Sequence, residues 1–208
     1  MINVSIAGIG GQGSVLAARI LAQAAEAKGW QVRSAETIGM AQRGGDVMSH
    51  VRMGNAGEEV FSPLPAKGTV DVLIALEPGE AARALPYLKE NGLLVVASTG
   101  IPPVMANFKR QTYDPQHLID DMQAAGVKMV VVDDAELAHR LGEPKALNVM
   151  MLAYAIIAVN KREDCVDNAL RGAITLEDIE AAIPLCVKRK LVSVNEKAIK
   201  VVQQAARV

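Results

Sequence analysis

A glycine-rich segment near the N-terminus has the spacing of a phosphate-binding turn. The segment "IAGIGGQGSVLAARILAQAAEAKG", residues 6–29, begins as an apolar strand, passes through Gly8-x-Gly10-x-x-Gly13 and continues as an alanine-rich amphipathic helix. Glycines at this spacing permit a tight turn and let backbone N–H groups approach a pyrophosphate where the helix begins. Glu36, after the second predicted strand, stands near where an acidic side chain would bind a ribose hydroxyl. The motif alone favours nucleotide binding and a purely structural turn about equally.

A second glycine pair follows, in "GMAQRGGDVMSHVRMG", residues 39–54. The Arg43 guanidinium beside Gly44 and Gly45 is suited to bidentate contact with phosphate or carboxylate. An adenosine pocket has no need of such a loop, so the loop weakens the dinucleotide interpretation. On the strand that follows, His50 is interpreted as structural, and Arg52 as part of a surface salt bridge.

Cysteines and histidines are too scattered to form a metal or cluster site. Cys165 and Cys186 lie 21 positions apart, and no pair of the three histidines has the H-x-x-x-H spacing. Iron–sulfur clusters, structural zinc and C-x-x-C redox chemistry are therefore not expected from this chain. We predict that it binds no metal.

Composition excludes further classes of function. Half of the 208 residues are hydrophobic, 3% are aromatic, and 22 basic residues face 23 acidic ones. Neither a positive field for nucleic acid or anionic membranes nor a set of base-stacking rings is present. With no secretory signal and no apolar run of about 20 residues, we expect a cytoplasmic protein with no nucleic-acid or membrane partner.

Strand and helix patterns alternate along the first two thirds of the chain. Apolar runs bounded by glycine or charged residues are typical of parallel strands that are covered on both faces. The predicted strands are Asn3–Ala7, Gln31–Ala35, Val70–Leu76, Leu93–Ala97 and Lys128–Val132, and the predicted helices are Gln12–Lys28, Pro78–Glu90, Pro115–Ala125 and Asp134–Leu141.

Two segments depart from this alternation. Val47–Met53 precedes "GNAGEE", which predicts a hairpin leading into "VFSPLP" and an antiparallel element in the sheet. From Lys145 onward the sequence is helical, with a Thr175-x-x-Asp178 capping pattern and a methionine-rich stretch at 148–152 that indicates core or subunit interface. The predicted fold is α/β, a three-layer, mostly parallel doubly wound sheet with an antiparallel hairpin element and a helical C-terminal extension. We expect one domain over 1–208, with an α/β core at 1–143 and a helical part at 144–208.

Three motifs together resemble the gamma-type subunit of 2-oxoacid:ferredoxin oxidoreductases, most closely the indolepyruvate branch. They are "GIGGQG", "GMAQRGGDVMSHVRMG" and "DVLIALEPGEAARALPYL". The segments "NVMMLAYA" and "VNEKAIKVV" are similar to the same family, so the resemblance covers nearly the whole chain.

The resemblance implies oxidative decarboxylation of a 2-oxoacid, such as indolepyruvate or another aryl pyruvate, to an acyl-CoA, with electrons passed to ferredoxin. This chain has no Gly-Asp-Gly segment for thiamine diphosphate and no cysteines at cluster spacing. Thiamine diphosphate and iron–sulfur clusters are therefore expected in a large partner subunit, which also reaches ferredoxin. The chain would complete the active-site cleft and would bind none of these cofactors alone, although coenzyme A is a candidate ligand at the subunit cleft.

Ligands of doubly wound sheets gather outside the carboxyl ends of the strands. The glycine turn, the segment from Glu36 to Arg43, Glu77 and the segment 98–100 all follow predicted strands, so we expect them at one edge. Glu77 is also explained by a helix N-terminal role, since Pro78 starts a helix. No catalytic residue is assigned; the predicted cofactor-binding residues are Gly10, Gly11, Gln12, Gly13, Gln42, Arg43, Gly44, Gly45, Ser98 and Thr99. An NAD(P)-binding oxidoreductase and a nucleotide-sensing interaction module remain as alternatives.

Overall fold

The computed structural model of the chain describes residues 1–39, 44–103, 112–142 and 146–206. Its centre is a six-stranded mixed sheet with the strand order β2-β3-β1-β4-β5-β6. The strands are β1 (Ile2–Ile9), β2 (Gln31–Ile38), β3 (Asp46–Gly54), β4 (Val70–Ala75), β5 (Leu88–Ala97) and β6 (Met129–Val132).

Strand β3 runs opposite to the rest of the sheet. It pairs antiparallel with β1 on one side and β2 on the other, whereas β1, β4, β5 and β6 are parallel neighbours. At the middle of β1, Val4 stands opposite both Val51 and Val72. Because β3 is inserted between β1 and β2, these two strands point the same way, and their carboxyl ends lie at the same edge as those of β4, β5 and β6.

Helices cover both faces of the sheet and make three layers. The α-helices of the described residues are α1 (Ser14–Ala27), α2 (Pro78–Ala84), α3 (Pro115–Ala124), α4 (Asp134–Leu141), α5 (Leu147–Lys161), α6 (Leu176–Cys186) and α7 (Arg189–Ala205). Side chains of α1 and of α4 to α7 share one buried cluster with the sheet, and α2 and α3 form a second cluster on the opposite face. The predicted three-layer α/β class with a helical C-terminal part is confirmed.

Helix α5 is apolar all round because it is enclosed. It lies against β4 and β5 and is also packed against α7. Met150 and Met151 are fully buried in the larger cluster, so the methionine-rich stretch belongs to the core. The capping pattern of α6 is also confirmed: the Thr175 hydroxyl accepts from the Asp178 amide, and the Asp178 carboxylate accepts from the Thr175 amide at 2.8 Å. Within the described ranges, no helix is both long and apolar enough to cross a bilayer.

The helix predicted over Pro78–Glu90 is shorter in the structure. Helix α2 ends at Ala84, a 3-10 turn covers Leu85–Tyr87, and β5 begins at Leu88. Pro86 causes this break, since it has no N–H to donate to the carbonyl four residues earlier and its ring crowds that carbonyl. The prediction therefore assigned the first residues of β5 to a helix.

The predicted hairpin at "GNAGEE" is not formed. Asn55–Gly57 is a 3-10 turn, and the segment from Glu58 to Thr69 contains no strand. The antiparallel pairs are instead β1–β3 and β2–β3, and the β2–β3 connection lies at 39–45. The Arg52 guanidinium holds the later segment by donating to the carbonyl oxygen of Ser62 at 2.8 Å and to the Asn3 side chain at 3.0 Å. The salt-bridge interpretation of Arg52 was therefore wrong, because these are neutral acceptors.

Candidate functional site

The glycine turn connects β1 to α1 at the carboxyl edge of the sheet. Gly11 has φ 105° and Gly13 has φ 86°, left-handed conformations that favour glycine. The Gly10 amide donates to the carbonyl oxygen of Gly45 at 2.9 Å. This bond brings the two glycine-rich segments that the sequence singled out into direct contact.

Helix α1 begins without a side-chain cap. Gly13 occupies the N-cap position and accepts from the amides of Leu16 and Ala17 at 3.1 and 3.2 Å. A glycine cap offers no side-chain oxygen to the first amides of the helix, so an external anion can accept from them. A methyl group added at Gly11 would have no atom within 4 Å, so the turn is open at that point.

Gln12 closes the turn from inside. Its side-chain oxygen accepts from the Ile9 amide at 2.7 Å, and its side-chain nitrogen donates to the Leu76 carbonyl at 2.8 Å. Both polar atoms of the amide are thus bonded within the protein. Gln12 links the ends of β1 and β4, and its contacts in this structure serve the shape of the turn.

The turn after β5 is held by a residue that follows the neighbouring strand, β6. Asp134, the first residue of α4, accepts from the Thr99 amide at 2.9 Å and from the Ser98 hydroxyl at 3.3 Å. Neighbouring strands lie about 4.8 Å apart, so the ends of β1 and β5, separated by β4, are roughly 10 Å from each other. The glycine turn and Ser98–Thr99 therefore border the same part of the edge.

Glu77 lies between them, at the end of β4, and only 1% of it is exposed. One carboxylate oxygen accepts from the Glu80 amide at 2.9 Å and so caps α2. The other accepts from the Ile101 amide at 3.3 Å and from the Tyr113 hydroxyl. Burial, reinforced by the bond to Glu77, raises the pKa of the Tyr113 phenol, so this group remains a hydrogen-bond donor. The predicted N-terminal role of Glu77 is confirmed.

Two clefts open beside α2. One, with a volume of about 240 Å³, is bordered by Ile9, Gly44, Glu77, Gly79, Ile101 and Tyr113. The other, about 250 Å³, lies against β1, β2 and β3 and includes Thr37, Asp46, Met48 and Tyr87. Glu80 and Arg83 border both clefts and form an ion pair.

The charge of these clefts is acidic. Burial raises the pKa of the Glu80 carboxyl, and the Arg83 guanidinium opposes that rise. With Asp46 and Glu77 nearby, the described residues that border the two clefts include three carboxylates and one guanidinium. The described lining of the clefts therefore offers a phosphate little attraction, and the amides at the start of α1 are the better anion-binding site.

Gly10 to Gly13, Gly44, Gly45, Ser98 and Thr99 are thus all placed at the carboxyl edge, as expected. Gln42 and Arg43 lie outside the described residues. Glu36 is exposed on β2, separated from β1 by β3. His50 is buried beside the Ser5 hydroxyl, 2.9 Å from Nδ1, which agrees with a structural role.

Three residues of the edge were missed by sequence reasoning: Tyr113, Asp134 and Asn148. Asp134 follows a predicted strand and could have been found by the same argument as Glu77. Tyr113 and Asn148 come from segments distant in sequence, and no local pattern marks them. In the described parts of the chain, no group of three or more His, Cys, Asp or Glu side chains is arranged to hold a metal ion.

Two curated relatives match this chain over almost its full length, and a third matches most of it. The indolepyruvate oxidoreductase subunit IorB of Archaeoglobus fulgidus is 33% identical over 200 residues, which are 96% of this chain and 92% of the relative. The subunit of the same name from Thermococcus kodakarensis is 31% identical, covering 99% and 96%. The pyruvate/ketoisovalerate oxidoreductases common subunit gamma of Pyrococcus furiosus is 26% identical, covering 88% and 94%.

Solved structures share the fold. The gamma subunit of a keto/oxoacid ferredoxin oxidoreductase from Geobacter sulfurreducens superposes with a TM-score of 0.66 at 23% identity, covering 99% of this chain and 98% of that one. The 2-oxoglutarate:ferredoxin oxidoreductase from Magnetococcus marinus, with 2-oxoglutarate, coenzyme A and succinyl-CoA bound, gives 0.68 at 16% identity, covering 99% of this chain and 31% of that one. The family described as pyruvate ferredoxin/flavodoxin oxidoreductase matches residues 3–208. The chain belongs to this family.

Proposed function

We propose that this chain is a gamma-type subunit of a 2-oxoacid:ferredoxin oxidoreductase that acts on indolepyruvate or another aryl pyruvate. The complex would oxidatively decarboxylate the 2-oxoacid to an acyl-CoA and pass the electrons to ferredoxin. Support comes from the family match over residues 3–208 and from the two indolepyruvate subunits that are 31–33% identical.

In this proposal the chain acts only with a large partner subunit. That subunit would hold thiamine diphosphate and the iron–sulfur clusters, since the sequence has no Gly-Asp-Gly segment and only two cysteines. We therefore expect the isolated chain, a single domain over 1–208 in the cytoplasm, to be colourless, inactive and prone to self-association. Bound thiamine diphosphate or stoichiometric cluster absorbance in the purified chain would contradict this.

The main support for the proposed binding site is that the glycine turn, Gly45 and the Ser98–Thr99 turn lie at one edge of the sheet. The start of α1, which has no side-chain cap, lies beside them. We assign this edge to coenzyme A and to the partner subunit. A phosphate of coenzyme A would accept from the first amides of α1, and Arg43 would add a charge-assisted contact. The acidic clefts beside α2 would face uncharged parts of the ligand or the partner.

The NAD(P) alternative is disfavoured by the strand order. In a dinucleotide-binding sheet the strand after the first helix lies beside β1, so that its acidic residue reaches the ribose. Here β3 lies between β1 and β2, which moves Glu36 about one further strand spacing from the turn. A nucleotide-sensing module would bind its nucleotide without any partner, and a binding assay on the isolated chain distinguishes it.

The test uses the complex reconstituted with its large subunit. We expect Arg43→Ala to raise either the KM for coenzyme A or the subunit Kd about ten- to hundredfold, the value of one charge-assisted contact. Arg33→Ala, which removes the same charge from the exposed outer strand β2, is the matched control. If Arg43→Ala and Arg33→Ala give the same KM and Kd, Arg43 is not part of the site. A changed Kd with unchanged KM would assign the loop to docking.

A glycine pair tests the turn itself. Gly11→Ala and Gly29→Ala both place a methyl group at positive φ, 105° and 77°, with no atom of the chain within 4 Å. Both variants therefore carry backbone strain, which is greater at the larger φ of Gly11, and only Gly11 lies at the proposed site. We expect the KM or Kd to change in Gly11→Ala alone; equal values in the two variants would make the turn structural.

A further inference from the structure

The turn that follows β5, Ser98–Ile101, is held by two buried carboxylates from different elements. Asp134 bonds its first half, through the Thr99 amide and the Ser98 hydroxyl, and Glu77 bonds its last amide, that of Ile101. Asp134 is 7% exposed and Glu77 is 1% exposed. Two amides of one short turn, those of Thr99 and Ile101, are thus fixed from both sides of β5.

Close packing adds to these bonds. A methyl group added at Gly100 would lie 2.5 Å from Cβ of Pro115 and 2.8 Å from a ring carbon of Tyr113. Tyr113 in turn donates its hydroxyl to Glu77 and accepts from the Gly79 amide at 3.1 Å. The turn, the tyrosine and the start of α2 therefore form one continuous wall around Glu77.

Burying two polar side chains to secure one turn costs free energy unless hydrogen bonds compensate their loss of water. Glu77 is compensated by two amides and a phenol, and Asp134 by an amide, a hydroxyl and the positive end of α4. Within the described ranges neither carboxylate has a basic side chain as an ion-pair partner. Both carboxylates accept hydrogen bonds from the turn at the carboxyl edge of the sheet, where Thr99 is exposed.

We propose that Glu77 and Asp134 are positioning residues, which hold the Ser98–Ile101 turn as a fixed wall of the ligand and partner cleft. This inference rests on the proposed function, since it gives the turn a role at that cleft. The two carboxylates act by fixing the backbone of the turn. This backbone in turn places the exposed Thr99 side chain at the cleft.

The test compares neighbouring aspartates in the reconstituted complex. Asp134→Ala removes the bonds to the turn, whereas Asp133→Ala removes only the exposed cap of α4, the 2.9 Å bond to the Glu136 amide. Both variants lose stability, so Asp133→Ala controls for that loss. We expect Asp134→Ala to raise the KM for coenzyme A or the subunit Kd about three- to tenfold, with kcat at saturation nearly unchanged, and Asp133→Ala to change neither.

Two further variants keep the proposal falsifiable. Asp134→Asn retains an oxygen for the Thr99 amide and should restore most of the KM or Kd. Glu77→Gln has one acceptor oxygen in place of two and should reproduce the defect. If Asp134→Ala and Glu77→Gln lower the unfolding temperature but match Asp133→Ala in KM and Kd, the carboxylates are structural and the inference is wrong. In that case, if Arg43→Ala or Gly11→Ala still changes KM or Kd, only the positioning role of the two carboxylates is refuted. If neither of these variants changes KM or Kd, the proposed site is refuted as well.

Discussion

The side-chain amide of Asn148 donates to the carbonyl oxygen of Gly13 at 3.0 Å, across 135 positions of sequence. The glycine turn at the start of α1 is therefore fixed by α5, from the helical part of the chain. Asn148 is 3% exposed, so water does not replace this bond. The shape of the turn depends on the C-terminal third of the protein.

Replacing Asn148 should loosen the turn. We expect Asn148→Leu to lower the free energy of unfolding by about 1–2 kcal/mol, because the variant loses the bond and leaves the Gly13 carbonyl with fewer donors. Urea denaturation of the isolated chain measures the change. Gln204→Leu, the same kind of replacement at an exposed position of α7, should change it by less than about 0.5 kcal/mol. Equal losses in the two variants would contradict a role for the bond.

Gly13 should tolerate a methyl group less well than Gly29. Both have positive φ, 86° and 77°, but a methyl at Gly13 would lie 2.7 Å from the Asn148 side-chain nitrogen, and one at Gly29 meets no atom. We expect about 1–2 kcal/mol of destabilisation in Gly29→Ala and more in Gly13→Ala. Thermal unfolding of the two variants side by side checks the order, and a loss in Gly13→Ala no larger than that in Gly29→Ala would show that the Asn148 side chain does not oppose the methyl group.

His50 should make the fold sensitive to acid. Burial lowers the pKa of His50 below its ordinary value of 6.5, so the unfolded chain takes up a proton that the folded chain resists. The folded state therefore loses stability as the pH falls below about 6.5, by up to about 1.4 kcal/mol per pH unit. Unfolding at pH 7 and pH 5 should show a smaller loss in His50→Gln than in the wild type. His117→Gln, on the exposed side of α3, is the control and should keep the wild-type loss.

The capping box of α6 should contribute measurably to stability. Thr175→Ala removes the hydroxyl that accepts from the Asp178 amide at 3.2 Å, and we expect a loss of about 1 kcal/mol. Ser193→Ala removes an exposed hydroxyl inside α7 and should be close to neutral. The midpoints of chemical denaturation give the comparison. If Thr175→Ala is also neutral, Asp178 and its bond to Lys28 at 2.8 Å secure the helix start without the hydroxyl.

Patterns that depend on neighbours in sequence predicted the fold well. The glycine turn, the buried strand β4, the second half of β5 and the Thr175 cap are local features, and each lies where the sequence indicated. Local patterns gave a wrong prediction in two places, where a single residue interrupts the pattern or where a predicted strand has no partner. Pro86 ended a helix that the apolar spacing continued, and "GNAGEE" had a hairpin composition but no second strand to pair with.

Contacts between distant segments could not be read from the sequence. The insertion of β3 between β1 and β2 follows from pairing over the whole sheet, and no motif in 46–54 encodes it. In the same way, Asn148 and Tyr113 reach the edge from segments that local rules treat only as helix and loop. Glu77 was placed correctly because Pro78 marks a helix start, but its bonds to Ile101 and Tyr113 required the tertiary structure.

The central position of β1 affects the order in which the protein can fold during synthesis. β1 is made before either of its two partners, which are β3, beginning at Asp46, and β4, ending at Ala75. Until both have been made, Ile2, Val4 and Ile6, which are fully or almost fully buried in the finished protein, have no sheet to join. The nascent chain therefore carries an unpaired apolar strand until β4 has been made, the kind of segment that aggregates or recruits chaperones.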